Sequence, residues 1–210
     1  MSDTPAPDYV VVGHPRSRAM RLILMLEELG QPYAVDPAAP HSEAARAANP
    51  EGKIPALRVG GDCLTDSVAM MQFLADRHGA LTFPAGTLER ARQDAHLMFV
   101  LDEIEGALWT GAKHLRMLPE DRRVPAAAET ARWEFDLALA KLAARLGEGP
   151  WLMGATCTVP DILIGHCFTW AQGMGWQIPP ALADYAERLK ARPARAAALA
   201  RAKTVIDAAA

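Results

Sequence analysis

The amino-acid sequence predicts two parts: an α/β portion of order βαβ then ββα, followed by a portion built wholly of helices. Three observations predict this. Short apolar or β-branched runs alternate with helical patterns from Tyr9 to about Gly79. A Gly60-Gly61 pair separates two of those runs. Beyond Leu88 the apolar residues keep to helical spacing almost throughout.

Each element follows from its residues. Tyr9-Val10-Val11-Val12, closed by Gly13, reads as a buried strand. Residues 15–29 carry Ala19, Ile23 and Leu26 on one helical face, and Gly30 is a natural C-terminal stop. Tyr33-Ala34-Val35 reads as a second strand, so close in sequence that the crossover is right-handed and parallel. Residues 36–50 are a polar stretch rich in Ala and Pro. Ile54 to Val59 and Asp62-Cys63-Leu64 form a hairpin, with Gly60-Gly61 supplying positive φ angles at the turn. Asp66-Ser67 starts a helix with Val68, Met71 and Leu74 on one face. The resulting order is that of a thioredoxin-like domain over 1–80. Pro84 and Gly86 mark a linker at 81–87, and the helical domain spans 88–210. There Leu97, Leu101, Ile104 and Leu108 repeat at i, i+4, i+7 and i+11, as do Phe135, Leu139, Leu142 and Leu146. Further helices are predicted at 160–173, 180–191 and 194–207, punctuated by Pro179-Pro180 and Pro193.

Composition narrows the function classes. With half of 210 residues hydrophobic and 22% charged, the chain is globular rather than disordered. A net charge of -3, with the basic residues dispersed, argues against nucleic acid as a partner. Three unpaired-looking cysteines, Cys63, Cys157 and Cys167, and no leader pattern point to a reducing, cytoplasmic setting. Met1–Pro7 is polar and Pro-rich and reads as a loose tail, and no apolar run approaches bilayer length, so no membrane partner is expected. HExxH, GxGxxG and P-loop patterns do not occur, so neither a metal nor a nucleotide is expected.

Four segments together resemble the cytosolic glutathione transferase superfamily over nearly the whole chain. They are Gly13-His14-Pro15-Arg16-Ser17-Arg18 running into Leu24 to Gly30; Asn49-Pro50-Glu51-Gly52-Lys53-Ile54-Pro55-Ala56-Leu57; Leu64-Thr65-Asp66-Ser67-Val68-Ala69; and Thr158-Val159-Pro160-Asp161. The third is similar to the family's usual Thr-Glu-Ser-x-Ala-Ile, with Asp in place of Glu. Many bacterial members resemble this chain around Ser17-Arg18.

The resemblance implies glutathione as co-substrate. It implies a cis bond before Pro55, which lets Ile54 pair through its backbone with the cysteinyl unit of glutathione. It implies that Asp66 and Ser67 hold the γ-glutamyl end, a role compatible with capping a helix, since both use the same N-terminal donors. His41 and Lys53 either face the glycine carboxylate or are solvated charges. Thr158-x-x-Asp161 is a capping box, which belongs to folding.

A transferase must hold glutathione's thiol as thiolate. Lowering a free-thiol pKa of about 8.5 by two units takes roughly 2.7 kcal/mol of preference for the anion. Donors for that are sought at 13–18. Ser17 is favoured slightly over His14, with Arg16 and Arg18 as electrostatic helpers. No cysteine occurs there, which counts against chemistry through a mixed disulfide. Leu108, Trp109, Gly111 and His114 are expected to wall the second-substrate pocket, with Trp109 either wall or core. The predicted function is conjugation of glutathione to a hydrophobic electrophile. The alternatives are a glutathione-dependent isomerase, dehalogenase or ether-cleaving enzyme, or a glutathione-binding protein without turnover. The resemblance also implies a homodimer, to which Met70, Met71 and Met98 contribute either interface or core.

Overall fold

A computed structural model of the protein describes residues 8–209. The Met1–Pro7 segment lies outside the described residues. The chain divides into two compact units: residues up to Ala80 together with those from Ala191, and Leu81–Lys190.

The first unit is built on a four-stranded sheet of order β2-β1-β3-β4. Its strands are β1 (Tyr9–Val12), β2 (Tyr33–Asp36), β3 (Ala56–Val59) and β4 (Asp62–Thr65). β1 runs parallel to β2 and antiparallel to β3, with Val12 opposite Asp36 on one side and Ala56 on the other. Between β1 and β2 lies α1 (Ala19–Glu28), which buries Ala19, Leu22, Ile23, Met25 and Leu26. It ends at Gly30, which takes the left-handed conformation, φ 62°. The β3–β4 hairpin forms as predicted, but of its two glycines only Gly60 has positive φ. The Ala- and Pro-rich stretch contains a short helix, α2 (Glu43–Ala48), capped by Ser42, whose hydroxyl accepts from the Ala45 N–H at 3.2 Å. α3 (Ser67–His78) completes the ββα half.

The last helix, α9 (Pro193–Ala208), packs on α1. Arg192 grips Glu28 through two bonds of 2.5 and 2.6 Å. The Arg201 guanidinium lies 5.2 Å from the centre of the Tyr33 ring. The Tyr33 hydroxyl donates to Glu27 at 2.5 Å, and burial first, then the Glu27 carboxylate, holds that phenol well above its ordinary pKa. The sequence reading groups 88–210 together; these contacts instead set the residues beyond Ala191 with the first unit.

The second unit is helical. The long helix predicted from spacing is α4 (Leu88–Phe99) and α5 (Gly106–Ala112), joined by a π-helical turn over Val100–Glu105 and followed by another over Lys113–Met117. A π turn re-phases the apolar face, which lets Leu97, Ile104 and Leu108 all stay buried. α6 (Pro125–Leu146) buries Phe135, Leu139 and Leu142. α7 (Val159–Gly173) begins with the predicted capping box of Thr158 and Asp161, and α8 (Ala183–Lys190) closes the unit. The Asp161 carboxylate accepts from the N–H groups of Leu152 and Thr158, the Thr158 hydroxyl and the Tyr185 hydroxyl. Burial and that carboxylate together raise the Tyr185 pKa well above its usual value. Among the described residues no helix is long and apolar enough to cross a membrane.

Candidate functional site

The site begins where β1 ends. Gly13 has φ 146°, and a Cβ there would sit 3.2 Å from those of Ala19 and Ile54 and 3.4 Å from the Cα of Pro55. The missing side chain therefore lets three stretches of sequence meet: the end of β1, the start of α1 and the loop entering β3. The bond between Ile54 and Pro55 is cis, as the resemblance implies.

Residues 14–18 form a tight turn leading into α1. The His14 carbonyl accepts from both the Ser17 N–H at 3.0 Å and the Ser17 hydroxyl at 2.7 Å. Ser17 Oγ in turn accepts from the Ala19 N–H at 3.1 Å. A serine hydroxyl has one proton, and here a backbone carbonyl holds it. The Arg16 N–H donates to His14 Nδ1 at 3.1 Å, so the neutral His14 ring carries its hydrogen on Nε2. Ser17, favoured from sequence, is thus engaged in shaping the turn, while His14 keeps a ring donor. Arg16 is exposed and Arg18 half-buried.

At the other end of the sheet's rim lies the start of α3. Asp66 caps it from an unusual backbone position, φ 65°. Its Oδ1 accepts from the N–H groups of Val68 at 3.0 Å and Ala69 at 3.2 Å. Both cap bonds use one carboxylate oxygen, and the cap leaves Oδ2 to other partners. Helix geometry gives the Ser67 N–H no intrahelical acceptor. Ser67 is buried, and its Oγ accepts from Arg21 Nη1 of α1 at 2.9 Å. His41, just before α2, and Lys53, on the loop preceding Pro55, are both exposed. The His41 N–H donates to the Gly52 carbonyl at 2.7 Å, and Lys53 pairs with Glu51 at 2.6 Å. Asn49, buried, braces this loop by donating to the Lys53 carbonyl at 3.2 Å and accepting from the Glu51 N–H at 3.1 Å.

The second unit has a cleft of about 680 Å³ whose lining includes His114, Leu115, Arg123, Pro125, Arg132 and Trp176. The Val124 N–H donates to His114 Nδ1 at 3.2 Å, and the Arg132 guanidinium lies 5.4 Å from the Trp176 ring centre.

Residues 12–82 match the family described as glutathione S-transferase, N-terminal domain. The fold matches a glutathione transferase of Methylococcus capsulatus str. Bath at 25% identity and a TM-score of 0.83, over 93% of this chain and 99% of that one. It also matches a theta class glutathione S-transferase of Xanthomonas axonopodis pv. citri, solved with glutathione bound, at 26% identity and 0.78, over 91% and 97%. A glutathione S-transferase of Pseudomonas fluorescens Pf-5 matches at 27% and 0.77, over 89% and 96%. Residues 12–82 carry a glutathione S-transferase N-terminal domain, and the fold of the whole chain is that of glutathione transferases. Among curated protein sequences none matches it.

The first unit gathers several of the predicted residues into two clusters. Ile54 and Pro55 close on Gly13, which leads into the turn of His14 and Ser17, and Asp66 and Ser67 lie at the head of α3. The predicted second-substrate residues scatter. Only His114 lines the cleft. Leu108 is wholly buried, and a Cβ on Gly111 would meet the Trp176 ring at 2.5 Å, so both belong to the core. Trp109 sits edge-on to Trp170 at its surface. Met70 and Met71 are also core, whereas Met98 is exposed. Sequence reasoning missed Arg21, Asn49 and Trp176. Arg21 did carry a signal: it is a charged residue inside the apolar run Met20 to Leu26.

Proposed function

We propose that the chain binds glutathione on its first unit and transfers it, as the thiolate, to a hydrophobic electrophile. The observation that carries this reading is the head of α3. Ser67 offers a hydroxyl and a helix-terminal N–H to a carboxylate, beside an Asp66 carboxylate whose Oδ2 the cap does not use. That pairing suits the carboxylate and ammonium of an α-amino acid, which is the γ-glutamyl end of glutathione. The relative from Xanthomonas axonopodis, solved with glutathione bound, supports the choice of ligand. Ile54 takes the cysteinyl backbone, and His41 and Lys53 lie toward the glycine carboxylate.

His14 Nε2–H is the donor assigned to the thiolate, because Ser17 already gives its proton to a carbonyl. Arg16 and Arg18 add positive potential. The cleft beside His114 and Trp176 is the place assigned to the electrophile. Its apolar wall of Leu115, Pro125 and the Trp176 ring suits a flat hydrophobic compound. A second copy of the chain is the proposed partner, supported by Trp133 and Leu137, exposed one turn apart on α6, and by Met98. The cytoplasm is the proposed compartment.

The engagement of Ser17 also favours a second reading, a glutathione-binding protein without turnover. One titration separates the two. Glutathione binding is followed by calorimetry, and the ultraviolet absorbance of bound thiolate is followed across pH. Binding with a thiol pKa well below the free value supports transfer. Binding with an unshifted thiol supports the second reading, and no binding overturns both.

A further inference from the structure

α1 buries a charge in a row of apolar side chains. Arg21 is 1% exposed, among Ala19, Leu22, Ile23 and Met25. Desolvating a guanidinium is expensive, and an apolar side chain of similar volume usually serves a core as well or better. A residue retained there against that cost invites a question about its charge. Its Nη1 donates to Ser67 Oγ at 2.9 Å, joining α1 to the first residue of α3.

We propose that Arg21 is a positioning residue for the anion site at the head of α3. It aims the Ser67 hydroxyl at the γ-glutamyl carboxylate and sets a positive charge one hydroxyl behind it. This rests on the glutathione-binding reading and adds to it. The argument is stereochemical. A guanidinium has five donors and no acceptor, so Ser67 Oγ is the acceptor in this bond and must direct its own proton elsewhere. Asp66 already satisfies Val68 and Ala69, so an incoming carboxylate meets the N–H and O–H of Ser67. A hydroxyl that accepts from a cation is a stronger donor, because hydrogen bonds in a chain polarise one another. On the far side of the same carboxylate, Asp66 Oδ2 is placed for the ammonium. Arg21, Ser67 and Asp66 thus read both charges of an α-amino-acid headgroup, one through a relay and one directly.

The test compares glutathione with the tripeptide analogue in which γ-aminobutyrate replaces the γ-glutamyl unit, so that the ammonium is kept and only the α-carboxylate is removed. Binding is measured by calorimetry for the full chain and for Arg21→Met, Arg21→Gln, Arg21→Lys and Ser67→Ala, with melting curves to establish folding. The wild type is expected to prefer glutathione over the carboxylate-free analogue by on the order of tenfold or more. Arg21→Met and Arg21→Gln are expected to bind both ligands within about twofold of each other, with Arg21→Lys regaining part of the preference. Combining Arg21→Met with Ser67→Ala is expected to lower glutathione affinity little beyond the weaker single variant. A folded Arg21→Met or Arg21→Gln protein that keeps the wild-type preference overturns the proposal. So does equal loss for both ligands, which marks a purely structural role. A wild type that binds no glutathione overturns the underlying reading as well. If the wild type binds glutathione with the expected preference, only the variants decide on Arg21.

Discussion

Ser17 and His14 sit three residues apart and differ in what they have left to give. Ser17 donates its one hydroxyl proton to the His14 carbonyl, and His14 accepts on Nδ1 and retains Nε2–H. Ser17→Ala is therefore expected to leave the pKa of bound glutathione thiol nearly unchanged while loosening the turn by about 1 kcal/mol. His14→Ala is expected to return the thiol toward its free value near 8.5. Thiolate absorbance against pH reads both, and a normalised thiol in the Ser17 variant alone would reverse the assignment. His96 makes a different prediction. Burial first, then the positive charge of Arg145, lowers its pKa below 6.5, with Asp161 opposing, and its Nδ1 is buried without a hydrogen bond. A histidine whose folded pKa is depressed takes up its proton more readily when unfolded. The stability it contributes is therefore present above 6.5 and is lost as pH falls through the lower, folded value. Melting temperature is expected to decline from pH 7 toward pH 5, and His96→Gln is expected to flatten part of that decline. An unchanged profile in the variant would remove His96 from the account.

At the scale of elements, Asp161 ties the start of α7 to the loop before it and to α8. Four donors converge on one buried carboxylate, from Leu152, Thr158 and Tyr185. A capping residue alone is worth about 1 kcal/mol. Each buried donor left without an acceptor adds about 1–3 kcal/mol, so Asp161→Ala is expected to destabilise by about 3 kcal/mol or more. Urea unfolding measures it, and a loss of about 1 kcal/mol would mean the carboxylate is only a cap. The π turns flanking α5 belong to this scale too. Spacing read from Leu97 to Leu108 announces a helix, but nothing in a periodic pattern announces the extra residue that a π turn absorbs.

For the whole molecule, α9 is the element that the sequence described least well. Its residues have ordinary helical character, and nothing local says which core they join; that depends on Arg192 meeting Glu28 and Arg201 meeting Tyr33, far away in sequence. Local signals did carry the strands. β-branched Val10 to Val12, the Gly60 turn and the Asp66 cap are decided within a few residues, and the structure has each of them. The residues proposed to hold glutathione were legible for the same reason, lying in short contiguous motifs. The cleft proposed for the electrophile was not, because Trp176 reaches it from beyond α7, about sixty residues after His114. Removing residues from Ala191 onward is expected to lower the melting temperature and glutathione affinity together, since α9 packs on the helix that leads out of the His14 turn. Truncated protein with wild-type glutathione affinity would show that α1 holds its place without α9.

The division of the first unit between two stretches of chain also has a consequence in time. Its sheet leaves the ribosome early, but α9 follows only after all of Leu81–Lys190 has been made. At about 5–20 residues per second, that interval is on the order of ten seconds, vastly longer than helices and hairpins need to form. For those seconds the nascent sheet and α1 carry an uncovered seam, open to chaperones and to neighbouring chains. The thioredoxin-like unit is begun before the helical unit and finished after it.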